Sequence, residues 1–249
     1  MKSLKEYFQE NNFIVVAHRG ASGSSPENTI SACIEALKYD IKIIEVDVRL
    51  TKDNEIVVFH DELLARIANL DKSIEELTTD EIKNIDVGTW FSEKFNEKIP
   101  TLKEIIDTIR DKAYLIIELK TNNNREVFID KLFEIIKSTN YHDYVMLVSF
   151  DPDLLQIARK YDKNILTCII KDPNSNVLPH ELLSQTQSDG VICSFDELTD
   201  EFISDKRKYK IPVGVYDVDT MQQLEKCLEA NIYGIGTNFP EAILKKIEK

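Results

Sequence analysis

The sequence predicts a (β/α)8 barrel, a fold in which parallel strands and surrounding helices alternate along the chain. Two observations favour this class. Short apolar runs alternate with amphipathic segments at a nearly constant spacing, and 249 residues suit one barrel domain, which we expect to span residues 1–249. A doubly wound open sheet is the alternative, but no glycine-rich nucleotide-binding loop follows the first apolar run.

The individual elements follow from the period of the apolar residues and from capping and turn residues. Strands are predicted at residues 13–17, 43–48, 55–59, 114–118, 144–149, 165–170, 190–193, 211–216 and 232–237. Helices are predicted at residues 3–11, 25–39, 101–110, 125–137, 152–161, 179–184, 199–208, 220–230 and from 240. We expect Ser25 to cap the second helix, with Pro26 and Glu27 in its first turn. Residues 62–100 are predicted to form a small insertion after the second strand.

Composition argues against several classes of protein. A formal net charge of −13 and a pI near 4.9 should repel nucleic acid and anionic lipid surfaces. Residues 1–12 lack a long apolar run and already carry Glu6 and Glu10, so we expect neither a secretory signal nor stable membrane insertion. The four cysteines have no CxxC spacing, which favours reduced thiols in a cytoplasmic protein.

The stretch Ile43–Val48 alternates apolar and acidic residues. Side chains at positions i and i+2 of a strand share a face, so Glu45 and Asp47 should project together, opposite the apolar side chains. Two adjacent carboxylates repel each other unless a proton or a cation lies between them, and oxygen ligands suit Mg²⁺ or Ca²⁺. Taken alone, the stretch is equally compatible with an edge strand whose acids face water.

Charged residues cluster where the first predicted strands end. Active sites of (β/α)8 barrels lie at the carboxyl ends of the strands. These ends carry His18 and Arg19, Glu45 and Asp47, His60 and Asp61, and Glu118 and Lys120. Neighbouring strands would bring these residues around one small ligand. The acids predict a site for one divalent ion, and the ion together with the two cations predicts an anionic substrate.

Five short motifs occur in order along the chain. They are His18-Arg19-Gly20, Pro26-Glu27-Asn28-Thr29, Glu45-Val46-Asp47, His60-Asp61 and Glu118-Leu119-Lys120. Residues 88–91, 99–102, 149–152 and 236–240 extend the pattern. Together they resemble the glycerophosphodiester phosphodiesterase family from His18 to Pro240, nearly the whole chain. The first motif alone would be a weak signal, but the ordered set is a strong one.

This resemblance implies metal-dependent hydrolysis of small glycerophosphodiesters to glycerol 3-phosphate and an alcohol, through a cyclic phosphate. It implies that Glu45, Asp47 and Glu118 bind one Mg²⁺ or Ca²⁺, that Arg19 and Lys120 bind the phosphate, and that His18 and His60 form the acid–base pair. Asn28, Asp61, Phe150 and Tyr216 are expected to support these residues or to line the pocket. A homodimer is a further expectation.

Two alternatives differ in substrate or in activity. A lysophospholipase D-like enzyme would need an apolar trough or an interfacial helix with basic flanks. The mixed charges of residues 1–12 and the acidic composition argue against it. A non-catalytic barrel that only binds phosphodiesters would be expected to lack a histidine or an acid, and none is missing.

The chain departs from the family pattern at a few places. Ala65-Arg66-Ile67-Ala68 stands where Asp-Arg-Thr-Thr is frequent, Tyr216 where tryptophan is usual, and Asn238 where aspartate is frequent. These differences leave the preferred alcohol open. Asp217 and Asp219 form another pair of nearby acids, but we expect Asp219 to cap the helix from Thr220 and neither acid to bind the metal.

Overall fold

Within residues 1–247, which the computed structural model describes, nine strands form one sheet. The strands are β1 (Ile14–Ala17), β2 (Ile43–Leu50), β3 (Ile56–Val58), β4 (Tyr114–Leu119), β5 (Val145–Ser149), β6 (Leu166–Ile170), β7 (Gly190–Ser194), β8 (Val213–Tyr216) and β9 (Gly234–Thr237). Residues 248 and 249, the end of the predicted domain, lie outside the described range.

Helices connect the strands on the outside of the sheet and add short segments around residues 65–82. They are α1 (Leu4–Glu10), α2 (Ile30–Lys38), α3 (Ala65–Ala68), α4 (Thr79–Ile82), α5 (Leu102–Ile109), α6 (Arg125–Ser138), α7 (Pro152–Tyr161), α8 (Pro179–Thr186), α9 (Asp200–Tyr209), α10 (Met221–Glu229) and α11 (Pro240–Ile247). No helix in this part of the chain is both long and apolar enough to cross a bilayer.

Eight of the strands are parallel and close into a barrel. They follow the order β1, β2, β4, β5, β6, β7, β8 and β9, and β9 pairs with β1. β3 is the antiparallel partner of the end of β2. The predicted (β/α)8 fold is therefore confirmed, and the predicted bounds agree with the observed ones within two residues except at the start of α2.

The predicted start of α2 is wrong. The helix begins at Ile30, and its N-cap is Thr29, whose hydroxyl accepts a hydrogen bond from the Ala32 amide. Ser25 is not the cap because Asn28 has a φ of +58°, a left-handed conformation that a helix cannot continue through. The tertiary contacts of Asn28, described below, outweigh the local signal of Ser25-Pro26-Glu27.

Side chains alternate between the two faces of the barrel strands. Outward residues such as Val46, Leu147 and Val215 pack against the helices in the largest apolar cluster. Inward residues at the amino ends form a second cluster with Leu4 of α1. The Tyr7 ring lies 4.9 Å from the Tyr114 ring, so α1 covers the amino-terminal end of the barrel and leaves the carboxyl ends free.

The predicted insertion between β2 and β4 builds a small apolar cluster of its own. Val57, Leu64, Ile74 and Ile82 are buried in it. Isolated bridges join Leu63 to Ser73 and residue 86 to residue 98, which ties the insertion together. The insertion places α3 beside the carboxyl ends of β1 and β2, where its Arg66 reaches Glu27 and Asp61.

Candidate active site

Three acidic side chains meet inside the carboxyl end of the barrel. Asp47 of β2 is paired in register with Glu118 of β4, and Glu45 precedes Asp47 by two residues on the same face. One oxygen atom from each carboxylate lies within 4.8 Å of the other two. The predicted juxtaposition of the three acids is therefore present, and it follows from strand register alone.

These carboxylates fit a divalent cation. All three side chains are buried, and Glu45 Oε1 and Asp47 Oδ1 make no hydrogen bond. Lys120 Nζ lies 2.7 Å from Asp47 Oδ1, but its angle is not that of a hydrogen bond. Two oxygens bound to one Ca²⁺ at its usual distance are at most about 5 Å apart, a span that the three acids match.

The electrostatics of the cluster also favour added positive charge. Burial, and next the charge of Asp47, raises the pKa of both Glu45 and Glu118. Burial also opposes ionisation of Asp47, but Lys120 and Arg19 keep its pKa well below the ordinary value. The protein's own cations do not stabilise the ionised forms of all three carboxyl groups. A bound divalent ion would supply the additional positive charge that their ionisation requires.

Arg19 and Lys120 approach different oxygen atoms of the Asp47 carboxylate. Arg19 Nε is 3.3 Å from Asp47 Oδ2 and makes no hydrogen bond, while its Nη1 donates to Glu27 at 2.9 Å. The Arg19 backbone amide donates to Glu45 Oε2 at 2.8 Å. Lys120 also donates to Glu118. Both cations are thus available to an anion bound next to the acids.

His18 is held by groups from the far side of the barrel. Its Nδ1 lies 2.8 Å from Asp217 Oδ1 and 3.0 Å from Asn238 Oδ1, and its Nε2 is 4.0 Å from Glu45 Oε2. The Tyr216 ring stacks with a centroid separation of 6.1 Å. Burial alone would lower the pKa of His18, but the hydrogen bond to Asp217 and the charges of Glu45 and Asp217 raise it to about 9.

His60 has a different environment. Its Nδ1 is 2.7 Å from Asp61 Oδ1, and its carbonyl oxygen accepts hydrogen bonds of 3.0 and 2.8 Å from Arg49. Burial lowers the pKa of His60; Asp47 opposes this effect, but Lys120 and Arg19 add to it. The surroundings thus favour the neutral imidazole at His60 and the protonated form at His18, compared with an ordinary histidine.

Arg66 links the acidic residue that contacts His60 to the acidic residue that contacts Arg19. Its Nε and Nη2 donate to the two oxygens of Asp61 at 2.5 and 3.1 Å. Its Nη1 and Nη2 donate to Glu27 at 3.0 and 2.8 Å. Because Glu27 also accepts from Arg19, the insertion is tied to both a histidine and a cation of the site.

Asn28 forms two hydrogen bonds with Asp47. Its Nδ2 donates to Asp47 Oδ2 at 2.7 Å, and its Oδ1 accepts from the Asp47 backbone amide at 3.1 Å. Asn28 is 3% exposed, so both hydrogen bonds are shielded from water. The left-handed backbone of Asn28 is the conformation in which its amide reaches the neighbouring strand.

The family model for the glycerophosphoryl diester phosphodiesterase family matches residues 18–242, which include every motif described above. The chain belongs to this family. Its similarity to the glycerophosphodiester phosphodiesterase of Caldanaerobacter subterraneus subsp. tengcongensis is 32% identity over 95% of this chain and 98% of that protein.

Solved structures of the glycerophosphoryl diester phosphodiesterase family share the fold. An Oleispira antarctica phosphodiesterase, in complex with its product sn-glycerol-3-phosphate, has a TM-score of 0.89 and 27% identity, with 95% of this chain and 97% of that chain covered. A glycerophosphodiester phosphodiesterase from Thermotoga maritima has a TM-score of 0.76 and 26% identity, covering 94% of this chain and 98% of that chain.

Two aromatic residues complete the set predicted for the pocket of this family member. Phe150, which follows β5, is 41% exposed and lines the cavity at the carboxyl end of the barrel. Tyr216 at the end of β8 lines the same cavity. The structure thus places all the predicted site residues at one end of the barrel, with Asn28 and Asp61 one contact behind the acids and His60.

The predicted N-cap of α10 is wrong, and nearby residues that belong to the site were for this reason not predicted as part of it. Thr220 is the N-cap, whereas Asp219 accepts hydrogen bonds from the Asn238 amide and side chain at 2.8 and 2.7 Å. Asn238 and Asp217 in turn contact His18. Asp217 follows the carboxyl end of β8, so the rule that identified the other site residues also applied to it.

Proposed function

We propose that the protein hydrolyses glycerophosphodiesters to glycerol 3-phosphate and an alcohol, with one Mg²⁺ or Ca²⁺ held by Glu45, Asp47 and Glu118. One observation carries this proposal: three buried carboxylates, two histidines and two cations converge at one end of the barrel. The Oleispira relative, with its bound product, supports the substrate class.

The phosphodiester is proposed to lie against Arg19 and Lys120. When bound, the divalent ion would neutralise charge on the phosphoryl oxygens. Arg19 offers an Nε that has no hydrogen-bond partner, and Lys120 offers an ammonium group that is already held by Asp47 and Glu118. Such preorganised donors stabilise the charge of a phosphoryl-transfer transition state without having to reorganise.

The histidines are proposed to act as an acid–base pair with distinct tasks. The lowered pKa of His60 makes it the proton acceptor, and the raised pKa of His18 makes it the donor. Asp61 and Asp217 each hold the Nδ1 of one histidine, which leaves both Nε2 atoms for the substrate.

The proposed reaction has two stages and passes through a cyclic phosphate. His60 removes the proton from the glycerol hydroxyl next to the phosphate, the hydroxyl oxygen attacks phosphorus, and the bond to the alcohol breaks as His18 gives that alcohol a proton. Water then opens the ring with the two histidines in exchanged roles, and glycerol 3-phosphate leaves. Attack from within the substrate gains the high effective concentration of an intramolecular reaction.

The test is an assay of the purified protein on a panel of glycerophosphodiesters with Mg²⁺ and Ca²⁺ in turn. We expect turnover that a chelator stops and one divalent ion restores, and we expect His18→Ala and His60→Ala to abolish it without unfolding the protein. Full activity after chelation would refute the metal site. Hydrolysis at the wild-type rate by either histidine variant would refute the acid–base assignment.

We also propose that the enzyme works in the cytoplasm, which the four free cysteines and the acidic composition support. A homodimer is proposed as its assembly, and light scattering on the purified protein tests it. The preferred alcohol would follow from the same substrate panel.

A further inference from the structure

A second cavity, called the side pocket below, adjoins the candidate active site. Its volume is about 380 Å³, within the range of small-molecule sites. It shares Glu118, Lys120 and Phe150 with the cavity of the active site, so a substrate bound at the three acids can extend into it. Polar residues of β2, the insertion and the loop after β4 complete its wall, among them Arg49, Glu62, Glu75 and Asn122.

The wall of the side pocket offers both acceptors and donors. Glu62 is exposed and Glu75 is half-buried, and neither is ion-paired to a lysine or an arginine of residues 1–247. Asn122, which is 5% exposed, donates through Nδ2 to Glu75 Oε1 at 3.0 Å and so fixes the direction of that carboxylate. Arg49 uses its Nε and Nη2 for the His60 carbonyl oxygen, which leaves Nη1 as a donor.

The charges of the side pocket favour a neutral ligand that carries hydroxyl groups. An anion would meet the carboxylates of Glu62 and Glu75, and a cation would meet Arg49. Burial already lowers the pKa of Arg49 against the opposing charges of Asp47, Glu75 and Glu62, so a second cation beside it is disfavoured. A hydroxyl group both donates and accepts, and can therefore use the carboxylates and Arg49 Nη1 together.

Phe150 adds an apolar surface to this polar wall. Its ring is 41% exposed and lies where the side pocket meets the cavity of the active site. A hexose combines hydroxyl groups around its edge with apolar C–H groups on its faces. Such a ring can pack one face against Phe150 while its hydroxyl groups reach Glu62, Glu75 and Arg49.

The side pocket lies on the glycerol side of the proposed substrate. Arg49 in its wall binds the backbone of His60, the residue proposed to take the proton of the glycerol hydroxyl. His18, proposed to protonate the leaving alcohol, is instead turned toward Asp217 and Asn238, which follow β8 and β9. Unsubstituted glycerol would extend into the side pocket with only one hydroxymethyl group and would leave most of its 380 Å³ unfilled.

We propose that the side pocket binds a hexose carried by the glycerol carbon farthest from the phosphate, so that phosphodiesters of glycosylglycerol are a second substrate class. This inference rests on the function proposed above. Glu62, Glu75 and Arg49 are the residues that distinguish such substrates from those with unsubstituted glycerol.

The reaction of such a substrate is the same. A sugar on the glycerol carbon farthest from the phosphate leaves the adjacent hydroxyl free to attack phosphorus. The bond to the alcohol breaks, that alcohol takes up a proton, and water opens the cyclic phosphate. The products are the free alcohol and a glycosylglycerol phosphate, and the glycosidic bond stays intact.

A comparison of three substrates tests the inference. Glycerophosphocholine is assayed beside two derivatives in which the hydroxyl farthest from the phosphate carries either a glucosyl or a methyl group. The methyl ether controls for the loss of that hydroxyl. We expect kcat/KM for the glucosyl derivative to exceed that for the methyl ether at least about tenfold, the ratio that one hydrogen bond to a charged group provides. Equal values, or a faster methyl ether, overturn the inference, whereas turnover of glycerophosphocholine leaves the proposed function standing.

Variants of the two acids locate the effect. Glu62→Ala and Glu75→Ala each remove one acceptor, and each should lower the ratio of the glucosyl to the methyl kcat/KM by about tenfold. Asp71→Ala is the matched control, because Asp71 is an exposed acid of the same insertion that lies outside the side pocket, and it should keep the ratio. Glu62 is exposed, so Glu62→Ala remains informative if Glu75→Ala, which leaves Asn122 without its acceptor, does not fold. A lowered ratio in either variant supports the site, and the wild-type ratio in every folded variant refutes it.

A binding measurement separates this inference from the proposed function. Calorimetry at saturating Ca²⁺ compares glycerol 3-phosphate with its derivative that carries glucose on the carbon farthest from the phosphate. We expect the derivative to bind at least about tenfold more tightly to the wild type, and this advantage to be lost in Glu62→Ala. Tighter binding without hydrolysis of any glycerophosphodiester means that only the proposed function fails. Hydrolysis of glycerophosphocholine with equal affinities means that only the side-pocket inference fails.

Discussion

Replacing Asn28 would test how the acidic cluster is held. Alanine at this position removes the hydrogen bond to Asp47 Oδ2 and leaves the Asp47 amide without its acceptor. It also places an ordinary residue at a φ of +58°. We therefore expect Asn28→Ala to lower both the free energy of unfolding and the affinity of the three acids for a divalent ion.

The expected size of the effect follows from these three losses. A hydrogen bond to a charged group contributes about 1.5–3 kcal/mol, and a buried amide without a partner costs about 1–3 kcal/mol. An alanine in the left-handed region costs about 1–2 kcal/mol. The lower ends of these ranges apply because losses at contacting groups are not additive, and they give about 3.5 kcal/mol for Asn28→Ala.

Three further variants separate the contributions in urea unfolding with chelator present. Asn28→Gly loses the hydrogen bonds, but glycine adopts a positive φ without strain. This variant should therefore be about 1 kcal/mol less destabilised than Asn28→Ala. Asn231→Ala is the matched control, since Asn231 has a φ of +52° but is exposed, and it should cost only about 1 kcal/mol. Asn28→Asp puts a second carboxylate against Asp47, and we expect added divalent ion to recover part of its lost stability.

Calorimetric titration of the same proteins with Ca²⁺ and Mg²⁺ measures the second effect. Loss of a residue that orients a metal ligand ordinarily weakens metal affinity by about 10- to 100-fold, and we expect that range for Asn28→Ala. If Asn28→Ala unfolded at the same urea concentration as Asn231→Ala and bound metal as the wild type does, Asn28 would not be supporting Asp47.

Arg66→Ala should lower kcat by about tenfold, because the reacting groups would be misplaced. It should change the free energy of unfolding by less than about 1 kcal/mol, because the ion pairs of Arg66 are half-exposed. Arg66→Lys should recover only part of the activity, and a fully active alanine variant would contradict this positioning role. Asp217→Asn removes the carboxylate that stabilises protonated His18, so the pKa of His18 falls. In the pH profile of kcat/KM, the alkaline limb should move to lower pH while the acid limb stays unchanged. An alkaline limb that does not move would argue against His18 as the proton donor. Gly20 has a φ of +78°, and a Cβ there would lie 2.6 Å from the Ala32 Cβ. We expect Gly20→Ala to cost about 3 kcal/mol in urea unfolding, and a cost below about 1 kcal/mol would refute that reasoning.

The acidic cluster could be predicted from the sequence because its geometry is almost entirely local. The alternation along β2 places Glu45 and Asp47 on one face, and a parallel neighbour ending in Glu118 adds the third acid. The fold rule that puts active sites at the carboxyl ends of the barrel strands then selects His18, whereas His60 returns to the site through the antiparallel pairing of β3 with β2. None of these steps requires knowledge of a tertiary contact.

The supports of the site could not be predicted in the same way, because each depends on a contact between distant segments. Ser25 and Asp219 are good helix caps locally, yet neither caps a helix. Asn28 turns away from the helix to bond Asp47, and Asp219 bonds Asn238 instead of α10. In both cases a tertiary hydrogen bond, buried for Asn28 and partly buried for Asp219, is present in place of the local cap.

The cavity inside the barrel also could not be predicted from the sequence. It is lined by Gly190, Gly214, Gly234 and Gly236, and these glycines on three strands leave a space only when the register turns them all inward. Because this space leaves the inner packing incomplete, the outward layer, where Val213 and Leu147 are fully buried, provides most of the cohesion of the barrel.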